Sequence, residues 1–352
     1  MSTWISHLSA GCGFAGPAAI YILIMPKSYR VAIVGASGAV GVEMLRVMER
    51  RNFPVSSLHL LASPRSAGNV LEFRGKAHTI EPLSLDSFSG VDIALFSAGG
   101  GISSDYAQAA VACGAVVVDN SSAFRLAPEV PLVVPEINPE DIKSHRGIIA
   151  NPNCTTAISL MALNPLHRKF GLKRIFASTY QAVSGAGARA INELQSQTEA
   201  LAAGKPIEKE IFPHQIAFNV IPQVDGFLDT GYTKEEMKME NEGRKILHLP
   251  NFRASVTCVR VPVYRAHSVA ISAEFEIPVD LEAAKMALKA APGLQYLEEG
   301  YPMPLDAAGK DDCLVGRVRL DCGMDNGLAF WICGDQLLKG AALNAIQIAE
   351  LL

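Results

Sequence analysis

Tyr29-Arg30-Val31-Ala32-Ile33-Val34 is a β-branched apolar run of buried-strand type, and it leads directly into Gly35-Ala36-Ser37-Gly38-Ala39-Val40-Gly41 and a helical pattern through about Arg50. Strand, glycine turn and helix in that order commit a chain to a parallel α/β sheet, because the helix must cross back over the strand that precedes it. The spacing is G-x-x-G-x-x-G rather than G-x-G-x-x-G, and such glycines still let the backbone approach a pyrophosphate. Glycine-rich strand–helix turns also arise for packing alone. What favours the dinucleotide reading is the alternating β/α half that the turn heads.

The next strand, Ser57–Ala62, ends in Ser63-Pro64-Arg65-Ser66-Ala67-Gly68. Enzymes that use NAD tend to carry an acidic residue after this strand, to hold the ribose 2′-hydroxyl. Here a cation and a hydroxyl, Arg65 and Ser66, take its place and favour a 2′-phosphate, hence NADP. A strand over 91–97, a helix near 103–113 and a strand over 115–119 follow. Ser97–Gly101 and Asn120-Ser121-Ser122-Ala123-Phe124-Arg125 then fall at the carboxyl edge of the sheet, where ligands bind. Arg125 in that position suits a phosphate or carboxylate.

Ile148-Ile149-Ala150-Asn151-Pro152-Asn153-Cys154-Thr155-Thr156 passes from a short strand through turn chemistry into a helix ending near Leu166. Cys154 therefore sits at a helix N-terminus, where free N–H groups and the helix dipole favour a thiolate nucleophile. A free cysteine is equally often a small buried hydrophobe. Cys154 by itself leaves both readings open.

In the second half, a strand over 174–182 continues into Gln181-Ala182-Val183-Ser184-Gly185-Ala186-Gly187, small residues that permit close approach of a ligand, and a helix runs to about Ala203. Residues 204–232, rich in Pro and Gly, read as a long excursion or partner-facing loop. Thr233 and Glu236 form a capping-box pair opening a charged helix. Glu235 and Lys238 share one face of it, a face that by pattern alone is solvated. A strand bearing Arg260 precedes His267, so a cation and an acid/base can reach one cleft. Two more strands, over 269–277 and 314–320, a helix between them near 281–290, and a last strand over 328–333 lead to Gly334-Asp335-Gln336, which opens a closing helix to Leu352.

With 352 residues, 49% hydrophobic and 19% charged, the chain suits two domains with substantial cores. Net charge is −4 and no Lys/Arg block is long enough to follow a phosphate backbone, which argues against nucleic acid. Seven scattered cysteines without C-x-x-C spacing argue against a disulfide framework and a zinc site, and fit a reducing cytoplasm. The apolar stretch before residue 26 lacks the basic residues of a targeting signal, and Gly11, Gly13, Gly16 and Pro17 interrupt it as a membrane span. It reads as a poorly structured extension, with Met25 a candidate start.

Gly35–Gly41, Ser121–Arg125, Asn151–Thr156, Gln181–Gly187, Arg260-Val261-Pro262-Val263 with His267, and Gly334-Asp335-Gln336 together resemble the aspartate-semialdehyde dehydrogenases, in order, over about residues 28–352. The resemblance implies a Rossmann-type α/β domain (26–153), an α+β catalytic and dimerisation domain of glyceraldehyde-3-phosphate dehydrogenase-like type (154–333), and a C-terminal helix (334–352) returning to the first domain. Residues 1–25 stay unassigned. It implies NADPH-dependent reductive dephosphorylation of L-aspartyl 4-phosphate to the semialdehyde and phosphate, on the route to lysine through diaminopimelate, and to methionine, threonine and isoleucine. Carried onto this chain, Cys154 forms a thioester, Gln181 orients the acyl group and His267 is the general acid/base. Arg260 grips the substrate carboxylate, Glu235 is a further substrate contact, and Arg125 and Lys238 hold the phosphate. Ser37, Gly38, Ala39, Val40, Arg65, Ser66, Ser184, Gly185 and Gln336 line the NADP site. A homodimer or homotetramer is implied, with no metal. The nearest rival, N-acetyl-γ-glutamyl-phosphate reductase, carries Asn-Pro-Gly-Cys-Tyr where this chain has Asn-Pro-Asn-Cys-Thr. A catalytically idle NADP-binding relative would have no need of Cys154, Gln181, Arg260 and His267 together.

Overall fold

The computed structural model describes residues 27–352, and the reading of residues 1–25 lies outside them. The first half is built on strands β1 (Tyr29–Val34), β2 (Val55–Ala62), β3 (Val70–Phe73), β4 (Lys76–Pro82), β5 (Ile93–Phe96), β6 (Val116–Asp119) and β7 (Ile148–Ala150). They form one sheet in the order β3-β4-β2-β1-β5-β6-β7, all parallel neighbours except the β3–β4 hairpin. Helices α1 (Ala39–Arg50) and α2 (Gly100–Ala112) make crossovers. The central strands are continuous apolar runs because both faces are covered. In β1 every residue except Arg30 is buried.

The second sheet uses β8 (Leu172–Gln181), β9 (Arg253–Arg260), β10 (His267–Phe275), β11 (Leu294–Tyr296), β12 (Cys313–Leu320) and β13 (Gly327–Gly334), ordered β11-β12-β13-β10-β8-β9. Its register places the functional residues. The parallel pair β8–β9 runs from Arg174↔Arg253 to Gln181↔Arg260, so Gln181 and Arg260 end side by side. Antiparallel β10 opposes Ser268 to Tyr180 and begins at His267, at that same end. Helices α3 (Cys154–Phe170), α5 (Lys234–Ile246) and α6 (Leu281–Lys289) pack against this sheet, and α4 (Ala188–Ala202) and the short α7 (Pro304–Ala307) are peripheral. α3 runs past Pro165, beyond the expected end near Leu166, and stops at Gly171 with φ +71°. Its apolar face is buried throughout, and that burial outweighs the hydrogen bond lost at the proline.

The closing segment departs from a simple helix. Asp335 accepts from the N–H groups of Leu337 and Leu338. A π-helical turn (Leu338–Ala342) follows and only then α8 (Leu343–Glu350). Leu338, Leu343, Ile346 and Ile348 enter the core of the first sheet, which returns the chain terminus to the dinucleotide half.

Candidate active site

The carboxyl ends of β1, β5, β6 and β7 and the shared end of β8, β9 and β10 face one cleft of about 450 Å³. It is lined by Val40, Ser97, Asn120 and Arg125 from the first half, and by Cys154, Gln181, Ser184, Gly185, Glu235, Lys238, Arg260, His267 and Gln336 from the second.

The glycine turn fits a pyrophosphate. Gly35 has φ +89°, and a Cβ there would lie 2.6 Å from Ser97 O; at Gly41 it would lie 2.4 Å from Gly35 O. No side chain caps α1 at Gly38 and no acidic residue stands in its first turn, so backbone N–H groups are left for an anion. Ser37 Oγ donates to Ser66 Oγ at 3.1 Å, joining this turn to the end of β2, where Arg65 is exposed. Gln336 is fixed at the mouth of the cleft by the second half: its Oε1 accepts from Ala266 N at 2.8 Å and its Nε2 donates to Ser184 Oγ.

Cys154 is the first residue of α3, and Asn153 is its cap. Asn153 Oδ1 accepts from Thr155 N at 3.0 Å and Thr156 N at 3.1 Å, its Nδ2 donates to Glu235 Oε1 at 3.0 Å, and its backbone N donates to Glu242 Oε2 at 2.7 Å. The N–H groups expected to stabilise a thiolate are thus partly taken by the cap. Burial, with Glu235 beside it, pushes the Cys154 thiol up to about 11, against the smaller pull of Thr155, Arg125 and Arg260. Burial and the neighbouring anion thus oppose the thiolate that the helix terminus favours.

His267 is 1% exposed. Ala182 N donates to its Nδ1 at 3.0 Å, while Ala182 O accepts from Arg260 Nη1 at 2.8 Å, so the backbone of a single residue holds both side chains. With Nδ1 an acceptor, the neutral ring carries its proton on Nε2. Burial, then Arg260, lowers the imidazole to about 3, so the ring is neutral near pH 7. Burial also lowers Arg260, which makes no ion pair among the described residues.

The α5 face carrying Glu235 is buried, not solvated as its pattern suggested. Burial alone would raise the Glu235 carboxyl. Lys238 at 2.7 Å, with Gln181 and Asn153 donating, holds it instead at about 2. Lys238 also reaches Asp225 Oδ2 at 3.3 Å. Arg125 is anchored at Nε by Asn151 O (2.9 Å), at Nη1 by Glu242 (3.1 Å) and at Nη2 by Asn120 O (2.7 Å).

Three residues of this site carry no role in the sequence reading: Asn120, Thr155 and Glu242. Asn120 lines the cleft, and both its side-chain polar atoms, like Gln181 Oε1, are buried without a protein hydrogen-bond partner among the described residues. Thr155 Oγ1 accepts from Gln181 Nε2. Glu242 lies two helical turns beyond Glu235, so the 3.6 period alone puts both on one face.

Comparison with known proteins agrees with this architecture. Residues 30–145 match the family model described as semialdehyde dehydrogenase, NAD binding domain, and residues 163–339 match the semialdehyde dehydrogenase dimerisation domain. The chain is 52% identical to an aspartate-semialdehyde dehydrogenase of Synechocystis over 332 residues, covering 93% of this chain and 98% of that protein. It is 54% identical to that of Aquifex aeolicus, covering 92% and 98%. The crystal structure of aspartate semialdehyde dehydrogenase II from Vibrio cholerae superposes with a TM-score of 0.91 at 48% identity over 93% of this chain and 98% of that one, and the same enzyme is known complexed with ASA. The chain belongs to the aspartate-semialdehyde dehydrogenase family.

Proposed function

We propose that this chain reduces L-aspartyl 4-phosphate with NADPH, through a thioester on Cys154, to aspartate semialdehyde and phosphate. The observation that carries the reading is the register of β8, β9 and β10, which delivers Gln181, Arg260 and His267 to the cleft that Cys154 enters from α3. Arg260, which makes no ion pair among the described residues, binds the substrate carboxylate, and a guanidinium fork suits that geometry. Arg125 and Lys238 face the phosphate, and Gln181 holds the acyl group. Glu235 keeps Asn153, Gln181 and Lys238 in fixed relation.

In the first half-reaction Cys154 Sγ bonds to the acyl carbon. The C–O bond to phosphate breaks with its electron pair on oxygen, and the thiol proton leaves on the phosphate. His267 presents Nε2–H to the acyl oxygen and stabilises the charge that develops there. Reduced NADP supplies the hydride for the second half-reaction. The C–S bond then breaks, and a proton from solvent restores the thiol. Splitting one acyl transfer into two steps lowers each barrier.

Arg65 and the Ser37–Ser66 pair support NADP over NAD, since Ser63–Gly68, the segment after β2, carries no acidic residue to hold a ribose 2′-hydroxyl. A second copy of this chain is the natural partner. The face of the second sheet opposite α3 leaves Phe176 47% exposed, and the 204–232 excursion leaves Phe218 77% and Phe227 59% exposed. The free cysteines fit a reducing cytoplasm. Phosphate-dependent reduction of NADP, run with NAD beside it and with N-acetylglutamate semialdehyde beside aspartate semialdehyde, tests the reading. Cys154→Ala should abolish turnover and leave NADPH binding intact. Activity confined to the acetylated aldehyde, or near-wild-type turnover of Cys154→Ala, overturns it.

A further inference from the structure

We infer that Glu242 is a positioning residue for the phosphate step: one buried carboxylate sets both the guanidinium of Arg125 and the turn that presents Cys154. The inference rests on the reading of Arg125 as a phosphate ligand. Glu242 Oε1 accepts from Arg125 Nη1 at 3.1 Å and Oε2 accepts from Asn153 N at 2.7 Å, with Glu242 only 2% exposed. The two partners come from segments far apart in the chain, the loop after β6 and the turn before α3. Glu242 is the side chain they share.

Such a link transmits position only if Glu242 itself cannot drift, and α5 is locked at both ends. Its first turn is closed by the Thr233–Glu236 capping box, and Glu236 Oε1 also accepts from Cys258 N on β9 at 2.9 Å. Its last turn lies against Phe252, where a Cβ on Gly243 would come within 2.8 Å of the ring. Arg125 gains its other two anchors from backbone oxygens, Asn120 O and Asn151 O, so it presents a fixed edge rather than a mobile charge. A guanidinium so held keeps N–H donors free for an anion, and less rotamer entropy is lost when the anion arrives.

Glutamine at this position has one acceptor oxygen and one NH2 group. The backbone N–H of Asn153 is fixed by the α3 cap and cannot turn away, so the amide oxygen goes to it. The NH2 then meets the N–H groups of Arg125, and the arginine is displaced. The reaction is run toward acyl phosphate, with inorganic phosphate, aspartate semialdehyde and NADP. Glu242→Gln is expected to raise KM for phosphate about tenfold or more, the effect of losing a hydrogen bond to a charged group. KM for the semialdehyde stays within about threefold, because Arg260 is untouched. A merely structural role lowers the thermal midpoint and the active fraction, counted by stoichiometric alkylation of Cys154, and leaves the ratio of the two KM values alone.

Arg125→Met separates the two readings. A phosphate KM unchanged in that variant overturns the assignment of Arg125 itself. If Arg125→Met raises it but soluble Glu242→Gln leaves it within twofold, the role of Glu242 is overturned. In the double variant the Glu242→Gln effect on phosphate should vanish, and additive effects also count against the inference. Should Glu242→Gln fail to fold, Arg125→Lys replaces it. That variant keeps the charge but cannot satisfy Glu242, Asn120 O, Asn151 O and phosphate together. A raised phosphate KM in Arg125→Lys supports positioning, and an unchanged one refutes it.

Discussion

The ionisation of Cys154 can be read directly from the pH dependence of its alkylation. Burial and Glu235 set the thiol at about 11 in place of the ordinary 9.0. At about pH 8 that leaves roughly one thiolate in a thousand, against roughly one in ten for an unperturbed thiol, a hundredfold deficit. The more basic thiolate is intrinsically more nucleophilic, and a Brønsted slope near 0.45 over two units returns roughly eightfold. The rate deficit at neutral pH is therefore only about tenfold, and a single-pH measurement cannot separate it from steric shielding.

The inflection is the decisive quantity. Iodoacetamide inactivation of the ligand-free enzyme should climb about tenfold per pH unit from 7 upward and bend only near 11. Glu235→Gln removes the anion that opposes the thiolate, and its inflection should fall. A wild-type plateau reached below pH 9 would show that the helix terminus and the cations outweigh burial, and an inflection unmoved in Glu235→Gln would show that this carboxylate does not oppose the thiolate. In the mechanism proposed above, a nucleophile that rests as a thiol resists adventitious oxidation and ionises only as its proton departs with the phosphate.

Two further perturbations follow from the same cleft. The unfolded His267 ring binds a proton below about 6.5 and the folded one only near 3, so its contribution to stability is intact above 6.5 and lost as pH falls between those values. At pH 5, above the range in which Glu235 titrates, the loss is roughly 2 kcal/mol, and thermal midpoints across pH 8 to 5 should be flatter in His267→Gln than in wild type. An equal slope in the two proteins would exclude His267 as the source. Gly340→Ala places a Cβ 2.6 Å from Cys154 Cβ and 3.1 Å from its Cα. That overpacking should cost about 1–3 kcal/mol and displace the nucleophile, with turnover falling far more than NADPH affinity measured by fluorescence. Unaltered turnover would show that the π-helical turn yields instead of Cys154.

How much of this was visible in the sequence depends on the range of the interaction. The β1 strand, the glycine turn and α1 are local, and their pattern reads correctly. The β3–β4 hairpin left no signal, because β3 buries only Phe73 and β4 only Ile80 and neither alternates cleanly. The π-turn at Leu338–Ala342 is set by Asp335 and by contact with Cys154, nearly two hundred positions away, so no periodicity announces it. Glu235 and Glu242 look like half of a solvated charged helix. Their partners Gln181, Arg125 and Asn153 lie on other elements, and only the fold shows that the charges are paired and dry.

On the proposed assignment of the cations, their pairing also divides the substrate affinity between them. Arg125 faces Glu242 and Lys238 faces Glu235 and Asp225, so neither cation depends on ligand for an anion. Arg260 is different: 7% exposed, hydrogen-bonded to Ala182 O and stacked over Phe212 at 5.8 Å, it has no carboxylate partner among the described residues. Burying an unpaired guanidinium is costly, and an incoming carboxylate relieves that cost. The α-carboxylate of the substrate should thus supply more binding energy than the phosphate, a sensible division when phosphate must leave between the two half-reactions. 3-Aminopropanal, which is aspartate semialdehyde without its α-carboxylate, should show kcat/KM lowered by roughly a hundredfold, the equivalent of about 3 kcal/mol for one charge-assisted hydrogen-bonded pair. Arg260→Met should erase most of that discrimination by impairing the native aldehyde alone. Comparable kcat/KM for the two aldehydes in wild type would mean that Arg260 finds its anion elsewhere, and the carboxylate site would have to be sought at another cation of the cleft.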